Sequence, residues 1–94
     1  MNQLEKSRQE IDEIDSQLVK LFERRMHAVQ GVISYKMEQG LPILDSGREA
    51  ANIARSSAQL ADPELKPYFE KWYRETMEIA KQYQGSIRKR QEEK

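Results

Sequence analysis

Apolar residues recur at Leu4, Ile11, Ile14, Leu18, Leu21, Ala28, Val32 and Tyr35, in a stretch without proline from Asn2 to Gln39. This three-four alternation keeps one stripe on one face of a helix, with Gly31 the one glycine inside it. Both ends carry signals. Asn2 with Glu5 three residues on has the form of a capping box, and Gly40 followed by Leu41 and Pro42 reads as a stop. The pattern predicts one helix of about 37 residues, roughly 55 Å long at about 1.5 Å per residue. A compact domain of this size has a radius of gyration of about 13 Å. The helix therefore outreaches its own monomer, and a partner chain is expected to cover the overhang.

The rest of the chain reads as two shorter helices. After the connection Gly40–Leu44, Ser46 and Glu49 are spaced as a capping box and Asp45 is also a plausible N-cap. The second helix, to about Gln59, is rich in small residues, with only Ile53 and Leu60 large and aliphatic, and so is expected to be the least stable. Asp62-Pro63-Glu64 starts a third, with Pro67 a turn later able to distort that turn or move the start. Leu65, Phe69, Trp72, Tyr73, Thr76 and Ala80 then hold one face as far as Gln84, an aromatic stripe that reads as core. Gly85 is a natural C-cap, and the polar tail beyond it is expected to fray. The expectation is an all-α fold of three helices, with residues 1–85 one domain and 86–94 a charged, disordered tail.

Composition narrows the possible functions. Sixteen basic and sixteen acidic side chains cancel, leaving no net field to favour nucleic acid or an anionic membrane. Without cysteine there are no disulfides and no thiol catalysis, which fits a reducing compartment. The polar N-terminal segment gives no sign of a signal peptide or membrane span, so a cytoplasmic protein is expected. His27, the single histidine, falls on the polar side of the first helix, and no metal-ligand cluster or glycine-rich phosphate loop stands out.

What remains is a set of cations. Continuing the heptad of Leu4, Ile11 and Leu18 lands on Arg25, where an apolar residue is expected. A guanidinium is costly to bury unpaired, so Arg25 either snorkels or pairs, the commoner fate, or else points into a pocket that takes an anion. Lys36 lies eleven residues on, sharing that face at about 16 Å of axial separation. Arg8 lies about 25 Å from Arg25 and a quarter-turn away, so it reaches such a site only from a second chain.

Several segments taken together resemble the all-helical (AroQ-type) chorismate mutase family. They are Arg8-x-x-Ile11-x-x-Ile14-Asp15, Glu23-Arg24-Arg25, Val32-x-x-x-Lys36, Pro42-x-x-Asp45-x-x-Arg48-Glu49, Met77-Glu78-Ile79 and Gln84. The resemblance covers about residues 4 to 84. It implies an intertwined helical homodimer with two active sites, each built mostly from one chain. By resemblance, Arg25 holds a substrate carboxylate with Arg8 donated across the interface, and Arg48 adds positive charge nearby. Lys36 and Gln84 donate to the ether oxygen of the breaking bond, while Glu49 and the Asp45 region bind the ring hydroxyl. Ala80 is a departure, since many relatives carry a serine there to help hold a carboxylate; a backbone group is the expected stand-in. The implied reaction is the pericyclic rearrangement of chorismate to prephenate in aromatic amino-acid (Phe/Tyr) biosynthesis, which uses no cofactor. Two alternatives are an isochorismate-pyruvate lyase on the same scaffold and a non-catalytic helical dimerisation or regulatory module.

Overall fold

The computed structural model describes residues 1–93; Lys94, the last residue of the expected tail, lies outside them. The chain forms α1 (Gln3–Gln39), α2 (Ser46–Ser57), a 3₁₀ turn (Pro63–Leu65) and α3 (Lys66–Glu92). Among the described residues there is no strand. No helix there is long and apolar enough to cross a membrane.

The caps explain the boundaries. Asn2 Oδ1 accepts from the Glu5 N–H at 2.8 Å, and Asn2 Nδ2 donates to Glu5 Oε1 at 3.3 Å. At the other end Gly40 adopts φ 66°, and the Leu41 N–H returns to the Lys36 carbonyl at 2.8 Å. That left-handed backbone costs a β-carbon-bearing residue on the order of 1 kcal/mol, which is why glycine ends α1 cleanly. Asp45, not Ser46, is the N-cap of α2: its Oδ1 accepts from the Arg48 N–H at 3.0 Å. Asp62 caps the 3₁₀ turn, and with Pro67 in the first turn of α3 the α-helix begins only at Lys66.

The third helix does not stop at Gly85. It runs to Glu92, so residues 86–92 are helical, contrary to the expected frayed tail. Gly85 is not in the left-handed region, and a glycine inside a helix costs only about 1 kcal/mol relative to alanine. Contacts offset that cost: Arg88 Nη2 donates to the Leu41 carbonyl at 2.7 Å, and Ile87 and Arg88 are half-buried.

Helix α3 is the hub, packing on both α1 and α2. The buried apolar residues are Val29 and Ile33 of α1 with Met77 and Ala80 of α3. Neither Val29 nor Ile33 belongs to the stripe read from the sequence. That stripe stays open: Leu4, Ile11, Ile14, Leu18, Leu21, Val32 and Tyr35 are all exposed. The aromatic face of α3 is only partly core. Phe69 and Tyr73 are half-buried and stacked at 5.6 Å, but Trp72 is 56% exposed. The reason is reach: the molecule measures 56 × 27 × 15 Å with a radius of gyration of 16.9 Å, so one long helix is covered along only part of its length.

Candidate active site

A cavity of about 300 Å³ is walled by all three helices. From α1 come Arg25, Ala28, Val29, Val32 and Lys36, and from the connection Ile43 and Asp45. From α2 come Arg48, Glu49 and Asn52, and from α3 Met77, Ala80, Lys81 and Gln84. Within each helix these positions recur three or four apart, with one adjacent pair in each (28/29, 48/49 and 80/81), so each helix offers one continuous face. Of the residues singled out from the sequence, Arg25, Lys36, Asp45, Arg48, Glu49, Ala80 and Gln84 line this one cavity. Arg8 does not; it is exposed in the first third of α1.

Arg25 is half-buried, with Cζ 5.8 Å from the centroid of the Tyr73 ring, within the range of a cation–π contact. This orients the guanidinium without neutralising it. Lys36 Nζ donates to the Ile43 carbonyl at 2.6 Å, which fixes the ammonium and ties the connection to α1. Arg25, Lys36 and Arg48 make no ion pair among the described residues.

The carboxylates of the cavity are engaged elsewhere. Asp45 spends Oδ1 on the backbone of α2, so only part of its carboxylate is open to a ligand. Glu49 Oε1 pairs with Lys81 Nζ at 3.0 Å, and the same ammonium meets Glu78 Oε2 at 3.2 Å. The Glu49 hydrogen bond, followed by that of Glu78, raises the Lys81 pKa above its ordinary 10.5. The stabilisation is complete below that value and is lost only as pH rises through the higher folded one. Lys81 is therefore cationic throughout the neutral range.

Gln84 is buried, and its Oε1 has no hydrogen-bond partner among the described residues. A buried amide left partly unmatched costs roughly 1–3 kcal/mol and calls for an explanation. Ala80 brings a methyl group to the wall. It lies inside α3, where its N–H serves the helix ladder, so Ala80 does not itself offer the expected backbone stand-in for a serine. Sequence reasoning missed Lys81 and Asn52. The signal for Lys81 was its position between Met77 and Gln84 on one face of α3, but a lysine on a helix ordinarily marks the solvated side.

The fold and the cavity define an all-α protein with a charged pocket of small-molecule size, walled by all three helices. Residues 7–85 match the family model described as chorismate mutase type II. The chain belongs to that family. None of the curated proteins matches it significantly.

Proposed function

We propose that this protein is a chorismate mutase, converting chorismate to prephenate in the cytoplasm. One observation carries the reading beyond family membership. Arg25, Lys36, Arg48 and Lys81 line one cavity with Asp45 and Glu49, an excess of two positive charges that complements a dicarboxylate. The rearrangement is internal to the substrate: a ring C–O bond breaks while a new C–C bond forms, and nothing leaves.

The catalytic task is to fold a flexible side arm over the ring and to stabilise charge on the ether oxygen. Arg25 and Arg48 clamp carboxylates with planar, bidentate groups, removing conformational freedom before the barrier. Lys36 and the Gln84 amide aim donors at the ether oxygen, where negative charge grows as the bond breaks, so they favour the transition state over the ground state. A donor such as a hydroxyl would also satisfy the unpartnered Gln84 Oε1, leaving the Nε2 hydrogens for the ether oxygen. Asp45 and Glu49 receive the ring hydroxyl. The test is to incubate the protein with chorismate and, separately, isochorismate, and to identify the products by NMR. Prephenate from chorismate is expected. Pyruvate released from isochorismate, without prephenate from chorismate, would identify a lyase, and no turnover of either would leave a binding module.

The active form is a homodimer with crossing long helices, in which Arg8 of each chain completes the other chain's site. The exposed α1 stripe supports this, as does a neighbouring apolar groove of about 400 Å³. Leu18, Leu21, Phe22, Met26, Trp72, Thr76 and Ile79 line that groove beside Arg25. Burial of this face makes folding and association one event. The thermal midpoint should rise with protein concentration over a hundredfold dilution series. A folded, active monomer at micromolar concentration in sedimentation would rule the arrangement out.

A further inference from the structure

Lys81 is the cation of the cavity that the proposed chemistry leaves without a task. Its contact with Glu49 is the one ion pair between different helices among the described residues; the other two lie within α3. Both partners are sheltered, with side chains 27% and 28% exposed. The pair also explains a feature of the cavity as a whole. Three cations there are free of ion pairs, although two carboxylates share the same walls. Asp45 is held by the start of α2, and Glu49 is held by Lys81. An unheld Glu49 would be an anion on the same walls as the clamp, and a cavity whose cations are already paired pays to release them before it can bind a dianion.

We propose that Lys81 is a positioning residue of the cavity: it occupies Glu49, so that this carboxylate does not quench the carboxylate-binding cations and meets a ring hydroxyl from a fixed place. Lys81 thereby sets affinity for the dicarboxylate, while the reacting atoms are served by other groups. The inference rests on the mutase reading for the identity of the ligand. Its test is therefore made by equilibrium binding of prephenate, which requires no turnover, alongside chorismate kinetics.

Lys81→Met removes the charge and keeps the length of the side chain. It should weaken prephenate binding about tenfold, the order expected for losing one charge-assisted hydrogen bond. In kinetics it should raise KM by a similar factor, with kcat changed less. Lys81→Arg should restore most of the affinity. The decisive variant is the double, Lys81→Met with Glu49→Gln. With Glu49 no longer able to quench the clamp, it should bind prephenate more tightly than Lys81→Met alone, whereas a lysine that merely braced α2 against α3 would give no such recovery. Circular dichroism and thermal unfolding check that each variant is folded. If Lys81→Met is poorly folded, the comparison of Glu49→Gln with Glu49→Gln/Lys81→Gln replaces it, and those two should bind alike. Wild-type affinity in a folded Lys81→Met, or a double variant no better than the single, overturns the proposal. If the wild type fails to turn over chorismate but the binding pattern holds, the mutase reading fails and the role of Lys81 stands.

Discussion

Lys36→Ala should lose at least about a hundredfold in turnover, the scale of removing one preorganised donor from a developing oxyanion. Lys36 is the cation best fixed for this task. It emerges from the last turn of α1, its ammonium is seated on the Ile43 carbonyl at 2.6 Å, and it lines the cavity together with Gln84 of the third helix. A compact ammonium keeps two further donors for a ligand after that contact, so it can hold the connection and serve the ether oxygen together. Arg8→Ala should also be severely impaired, although Arg8 is remote from the cavity of its own chain. Mixing the two inactive variants under conditions of subunit exchange separates their roles. In a mixed dimer both lesions fall in one site and the other site is intact. Free exchange should therefore return about one quarter of wild-type activity, from half the dimers with one working site of two. No recovery despite demonstrated exchange would place Arg8 within its own chain's function or in a purely structural role.

Gln84→Glu should remain folded and work well only under acidic conditions. The amide of Gln84 does not titrate, so wild-type turnover at saturating substrate should be nearly flat from mildly acidic to neutral pH. A glutamate there must be protonated to donate. Ionised, it sets an anion beside an oxygen that is itself gaining negative charge. Burial at this position favours the neutral acid, whereas Lys36, Arg25, Arg48 and Lys81 around the same cavity favour the carboxylate. Asp45 and Glu49 on the same walls oppose this, but with four cations against two carboxylates the ionised form should win at neutral pH. The variant's turnover should then fall as pH rises through the new group's pKa, while the wild type's does not. Rate profiles of both proteins, with dimer integrity followed at each pH, make the comparison. Equal activity at neutral pH would mean that Gln84 does not contact the ether oxygen.

The sequence by itself determined the parts of this protein that depend on neighbours within one helical turn. Asn2 and Gly40 bound α1 where expected, Asp45 and Asp62 cap the following elements, and the heptad break at Arg25 marked a residue that does line a cavity with Lys36. The caps are contacts between residues two to five apart, so the chain alone specifies them. The resemblance carried by charged motifs placed seven residues in advance that share one cavity, and periodicity alone would not have separated them from a solvated face. The tertiary structure decided what depends on how helices rotate and where they cross. It buries Val29 and Ile33 where the stripe pointed to Val32 and Tyr35, carries α3 through Gly85 by tying Arg88 to Leu41, and turns Lys81 toward Glu49. None of these has a local signal. A helix presents apolar and charged residues on several faces, and only the partner's position determines which face is covered and which ammonium meets which carboxylate.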